Sequence, residues 1–446
     1  MFPRVTRWLS TAPAPLFSAY CIVAAFGAYF CMYAFRKPFT AGTFADEALF
    51  GVDYKTVLVI SQVIGYTISK FVGIRVIAEL PATRRAVGIV ALIAAAHAAL
   101  LLFALTPRPY NFALLFLNGL PLGMVFGLVL SFLEGRRMTE LLSAGLCASF
   151  IMSSGYVKSV GQAIVLNTSI GEYWMPFATG LVFWPPLLAC VWMLAHVPPP
   201  GELDVAARSE RAPINAQERR GILRKYGFGL AALITIYTLL TILRSLRDDF
   251  AVEIWAGLGY TETPSVFAIS ETLVMAAVIA VNGVAFLIKS NRAAFFTALH
   301  TITFGVLLIA ATTILYLAGA INGFSYMVVM GIGAYVPYVA FHTTLFERMI
   351  ALFRDKANIG YLMYLADAIG YLGYVAVLLL RNFATVDVDF LRAMTLTAAV
   401  ISVCSLLAVA AAAIYFRRMD RERASEHGKH SLAPSSGVAS AQIETA

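Results

Sequence analysis

Two arginines stand where hydrocarbon should exclude them. In "CMYAFRKPFTAGTF" (Cys31–Phe44), Arg36 closes the first long apolar run of the chain, with Lys37 beside it. In "YGFGLAALITIYTLLTILRSLRDDF", Arg244 closes a later one. Arg36 lies 18 residues after Ser18 and Arg244 lies 18 residues after Tyr226, each near the start of its run. A cation at the centre of a membrane helix costs roughly 2.5–3.5 kcal/mol even on insertion scales. A guanidinium presents a planar fork that grips phosphate or carboxylate with two parallel bonds, which an ammonium does not. The chemistry suggested is recognition of one anion by two forks. Either arginine alone is explained by a side chain reaching back to the headgroups. Two at matched positions, each behind an aromatic (Tyr33, Tyr237), weigh against that reading.

The elements that must position them are membrane spans. The chain has 446 residues, of which 60% are hydrophobic and 13% charged, with mean hydropathy +0.78. A soluble domain carries about 25% charged residues. Apolar stretches of bilayer length recur throughout, so an all-α integral membrane protein is expected. Twelve spans are read, the first at 16–37 and the last at 391–416. They fall into two halves of six, 1–196 and 226–416, joined by a polar, proline-bearing linker at 197–225. A polar tail at 417–446, low in aromatics, is expected to be disordered. The net charge of +8 sits in short loops and sets orientation rather than marking a nucleic-acid partner. The side shared by both termini is rich in Lys and Arg. The opposite side holds Lys55, Arg108, Arg381 and Arg392 with Asp46, Glu47, Asp53, Asp248, Asp249, Glu253, Asp387 and Asp389. Both termini are therefore expected in the cytoplasm, and the chain in the inner (plasma) membrane, as a monomer. The five cysteines lie in apolar runs without metal-ligand spacing. No nucleophile elbow or phosphate-cradling Gly loop is present, so neither an enzyme nor a cofactor is expected. The partners expected are a small anion and the bilayer.

If the halves are parallel repeats, spans 1 and 7 are equivalent and the arginines face each other across a pseudo-two-fold axis. The residues "YAFRKPF" and "LLTILRSLRDD", with "GYTISKF", "SETLVM", "YVPYVAFH" and "AIGYLGYVA", resemble the organophosphate:phosphate antiporters of the major facilitator superfamily. That resemblance implies two six-helix pseudo-symmetric bundles. It implies Arg36 and Arg244 as phosphate ligands, Tyr33 and Phe39 as lining, and Lys37 in a nearby charge network, with Asp249 as the acid following the second arginine. The chain departs from the family at span 5, where "ASFIMSSGYVKSVGQ" offers Lys158 in place of a histidine. It departs again in "GIRVIAELPATRR", which lacks the superfamily's Asp-Arg pair.

In such a fold helix 2 lies near helix 11 and helix 5 near helix 8. The remaining intramembrane charges then pair by sign, Lys70 with Asp367 and Lys158 with Glu271, unless the two lysines reach to the headgroups. His342 is a candidate proton relay, although a histidine bonded to a neighbouring helix is the plainer reading. His97 is read as structural. Asp367 is the candidate if a proton is coupled. The function implied is exchange of a phosphate ester for inorganic phosphate by alternating access. The competing readings are a proton-coupled carboxylate transporter and a transporter-like sensor that binds an anion without moving it.

Overall fold

The computed structural model describes residues 3–44, 48–49, 51–133, 136, 139–201, 216–261, 263–285, 287–353, 359–383 and 389–431. Residues 202–215 of the linker and the last residues of the tail, 432–446, lie outside these. Among the described residues twelve long helices follow one another: α1 (Ala14–Met32), α2 (Tyr54–Glu79), α3 (Arg85–Leu105), α4 (Phe112–Leu130), α5 (Thr139–Asn167), α6 (Met175–Ala195), α7 (Ala216–Asp249), α8 (Ser265–Ala285), α9 (Asn291–Leu317), α10 (Gly323–Ala340), α11 (Ile359–Phe383) and α12 (Phe390–Ser431). Eleven are long and apolar enough to cross a membrane, and α11 carries a shorter apolar stretch, Leu365–Leu380. Rows of Leu, Ile, Val and Phe remain exposed on the outside of the assembly, as a surface solvated by lipid requires.

The helices form two bundles. α2 packs on α4 and α1 on α5 and α6; in the second half α8 and α9 pack on α10, and α7 on α11 and α12. The bundles meet along α5 with α8 and α2 with α11. The approach of α5 to α8 depends on Gly155, where a Cβ would lie 2.4 Å from the Phe267 carbonyl oxygen. Any side chain there would push the bundles apart.

Local sequence sets two irregularities. Pro38 has no N–H to return to the Ala34 carbonyl. α1 accordingly stops at Met32, and the chain continues through short 3₁₀ turns at Tyr33–Phe35 and Pro38–Ala41. In span 10, α10 widens into a π turn at Phe341–Leu345 before a last helix, Phe346–Phe353. α12 does not end at Phe416, where the sequence reading begins a disordered tail, but continues to Ser431. An i,i+4 pair, Arg418–Glu422 at 2.9 Å, braces that extension.

Candidate functional site

Unwinding at the end of α1 frees backbone carbonyls in the protein interior, and each needs a donor. Two buried amides supply them. Asn118 Nδ2 on α4 donates to the Phe35 carbonyl and to that of Ala96, both at 2.9 Å. Gln62 Nε2 on α2 donates to the Arg36 carbonyl at 2.8 Å and to Asn118 Oδ1 at 2.7 Å. The backbone of Arg36 is thereby fixed, and its side chain enters a small cavity of about 30 Å³ between the bundles. Arg244, from the unbroken α7, enters the same cavity. Tyr29, Tyr33, Tyr66, Tyr338 and Tyr371 line it, as do Lys70, His342 and Asp367.

Each guanidinium lies over an aromatic face. Arg36 Cζ is 3.8 Å from the Tyr66 ring centre and Arg244 Cζ is 4.5 Å from that of Tyr338. Tyr66 and Tyr371 meet edge to face at 5.4 Å, and the Tyr371 hydroxyl accepts from Arg244 Nη2 at 3.5 Å. Two rings thus link the arginines. The Nε of each is buried without a hydrogen-bond partner.

Among the described residues, seven lysines and arginines are buried: Arg36, Lys37, Lys55, Lys70, Lys158, Arg244 and Arg247. Five of them have a carboxylate. Lys37 lies 2.7 Å from Asp248 and also bonds Asp249. Lys158 meets Asp248 at 2.5 Å, and Lys55 meets Glu253 at 2.5 Å. Lys70 meets Asp367 at 2.9 Å, as its sign suggests. Arg247 meets Glu271 at 2.6 Å and donates to the Met327 carbonyl at 3.0 Å. Only Arg36 and Arg244, among these seven, have no carboxylate within 4.0 Å. Ser154 also donates to Asp248, and the Tyr374 hydroxyl donates to Asp249 at 3.0 Å. Outside the spans, burial holds the Glu253 carboxyl above its ordinary range, against the pull of Lys55.

Several expectations are corrected. Lys158 does not pair with Glu271. α7 stays helical through Asp249, so Asp248 is buried and reaches Lys158 first, while Arg247 on the same helix takes Glu271. For the same reason Asp248 and Asp249 are not loop acids. Lys55 is not a loop cation either, being almost fully buried against Glu253. Phe39 is buried but is not among the residues lining the cavity. His342 Nδ1 donates to the Tyr338 carbonyl of its own span at 3.0 Å, and its Nε2 lies 3.5 Å from the Tyr237 hydroxyl. That hydroxyl donates to Asp367. His97 uses both ring nitrogens, receiving a bond from Trp184 at 2.7 Å and donating to the Phe177 carbonyl at 3.0 Å. Gln62, Asn118, Tyr66, Tyr371 and Asp248 escape the sequence reading. Of these only the polar pair Gln62 and Asn118, inside apolar spans, gives a signal.

A central cavity between two six-helix bundles, lined by basic side chains from both and by Asp367 from the second, is the arrangement of the major facilitator fold. The chain belongs to a family of unknown function, DUF5690, whose model matches residues 38–419; Arg36 and Lys37 precede the matched segment. No curated protein sequence matches the chain. Among solved structures, 156 chains match. One is a point mutant of the nucleoside transporter NupG, at TM-score 0.57 and 12% identity, with 90% of this chain and 99% of that chain covered. At that identity the likeness is one of fold.

Proposed function

We propose that the protein is a secondary transporter of a small organic dianion, a phosphate ester exchanged for inorganic phosphate by alternating access. The observation that carries this reading is the charge count of the interior: five buried cations have carboxylates, and the two without one face the same cavity. A phosphate monoester brings about −1.5 to −2 charge near neutral pH and oxygens enough for both forks. A neutral ligand such as a nucleoside leaves both guanidiniums uncompensated, so the fold likeness to NupG does not carry its substrate across.

The same electrostatics gives exchange. Closing an empty cavity removes two like charges from water at a cost of several kcal/mol per ion. A bound dianion removes that cost, with charge-assisted bonds worth roughly 1.5–3 kcal/mol each. The loaded carrier crosses between its two open states, and the empty one resists. In this reading the halves 1–196 and 226–416 rock about the cavity. The termini and the 197–225 linker lie on the cytoplasmic side of the inner membrane, and one copy suffices.

A proton-coupled carboxylate transporter is the second reading. It is favoured by the placement of Asp367, His342 and Lys70 on the wall of the cavity that holds the arginines. The test is thermal stabilisation of the purified protein by a panel of phosphate esters, inorganic phosphate and carboxylates, followed by uptake of the hits into proteoliposomes. Uptake of a phosphate ester that requires internal phosphate supports the proposal. Carboxylate uptake that requires a pH gradient and Asp367 supports the second reading. Stabilisation without uptake under any gradient marks a sensor and overturns both.

A further inference from the structure

A second basic recess lies away from the central cavity, at the end of the molecule where α9 begins and α12 leaves the bilayer. It is a groove of about 420 Å³ between the two helices, lined by Ser290, Arg292, Phe296, Arg417, Asp420 and Arg421. Arg292 Nε bonds Asp420 at 2.7 Å and remains about two-thirds exposed. Ser290 caps α9, accepting from the Ala293 N–H at 3.4 Å. Three arginines against one aspartate leave the groove strongly cationic.

The surface next to this groove is apolar and exposed. On α12 the exposed residues Leu396, Val400, Val403, Leu407 and Ile414 recur at three-, four- and seven-residue intervals. Arg417 and Arg421 continue that row by the same helical step. On α9, Phe304 and Leu307 are likewise exposed. They lie one face-repeat beyond Phe296 and His300, on the helix that starts at Arg292. Each helix thus presents a greasy row leading to guanidinium groups at one depth. A soluble anion uses only the second part of that arrangement; an amphiphile uses both.

We propose that this groove binds an anionic phospholipid of the leaflet facing the termini, with its phosphate between Arg292, Arg417 and Arg421 and its acyl chains along the exposed rows of α9 and α12. Basic residues at a membrane surface favour anionic lipid by about fivefold each. Lipid here would clip the last helix of the second bundle to α9 without touching the central cavity.

The experiment compares the full-length protein in nanodiscs of phosphatidylcholine with the same protein in discs containing phosphatidylglycerol. It reads thermal unfolding and, by native mass spectrometry, retained lipid. The expected result is an upward shift and retained phosphatidylglycerol in the second disc. Both should be lost in an Arg292→Gln, Arg417→Gln, Arg421→Gln variant whose unfolding in phosphatidylcholine is unchanged. Should that variant fail to fold, Asp420→Asn removes the one acid from the groove and should raise retention. Unchanged or lower retention there, or an undiminished shift in the triple variant, overturns the proposal. So does displacement of the lipid by millimolar inorganic phosphate or glycerol phosphate, which would mark a soluble anion site. The lipid effect should persist in Arg36→Lys, Arg244→Lys protein, so its failure is distinguishable from failure of the transport reading.

Discussion

The ends of α1 and α7 occupy equivalent places in their bundles and deliver the same group to the same cavity, yet they hold it differently. At α1 the helix is broken. Main-chain carbonyls at Phe35 and Arg36 are tied within the first bundle by Asn118 and Gln62. At α7 the helix runs unbroken through Asp249, and side chains do the anchoring. Arg247 is tied to Glu271 and the Met327 carbonyl in its own bundle, while Asp248 and Asp249 reach Lys37 and Lys158 of the other. Matched spacing in the sequence therefore means matched charge, not matched backbone. One half fixes the site by geometry, and the other supplies the ionic contacts that hold the halves together.

The comparison breaks most visibly at the arginines. Arg36→Lys and Arg244→Lys should each lower anion exchange by about 10- to 100-fold, the value of a lost charge-assisted bond, with expression unchanged. Near-normal exchange by both variants would sink bidentate recognition. Next comes the ionic contact. Asp248→Asn leaves Lys158 buried without its nearest carboxylate and should destabilise by about 3–5 kcal/mol, read as a fall in melting temperature. Exchanging Lys158 and Asp248 should recover part of that loss; recovery by a Lys158–Glu271 exchange instead would refute the Lys158–Asp248 pair.

The backbone anchor tests the other half. Asn118→Leu strands the buried Phe35 carbonyl, while that of Ala96 keeps its partner within α3, and should cost about 1–3 kcal/mol. In double-mutant cycles on ligand affinity it should couple to Arg36→Lys and be additive with Arg244→Lys. Equal coupling to both would mean that the amide acts on the whole cavity. The smallest effect expected is at the rings. Tyr66→Leu should weaken ligand binding more than Tyr338→Leu, because its arginine stacks at 3.8 Å rather than 4.5 Å, within the ~0.5–2 kcal/mol range of cation–π contacts. The reverse order would make Arg244 the tighter-held fork.

Charge in an apolar run is conspicuous, and so the two arginines, Lys70 and Asp367 are legible in the amino-acid sequence. The helical bundles are legible from run length, and the α2–α11 pairing from the implied fold. What is not legible depends on where a helix stops. "RSLRDDF" reads as the edge of a loop, and only the continuation of α7 to Asp249 buries Asp248 and redirects Lys158 to it. Cavity tyrosines are hidden for another reason. A tyrosine carries no charge and is common in membrane spans, so nothing in the sequence sets Tyr66 and Tyr371 apart from the other tyrosines of α2 and α11. The helix past Phe416 is hidden because low hydrophobicity resembles disorder, although its i,i+4 charges support a helix.

On the proposed exchange of dianions, the lack of a carboxylate at Arg36 and Arg244 also has an electrical consequence. A site reached by water from alternate sides experiences the full membrane voltage, worth roughly 2.3 kcal/mol per elementary charge for each 100 mV. A carrier holding a dianion presents no net charge to that voltage. An empty one presents two, so an interior-negative potential holds its mouth toward the cytosol. Swapping one guest for another then proceeds at nearly the same rate at any potential, while the vacant return is both slow and voltage-biased, a signature that capacitance or flux measurements on proteoliposomes would read without knowing the guest's name.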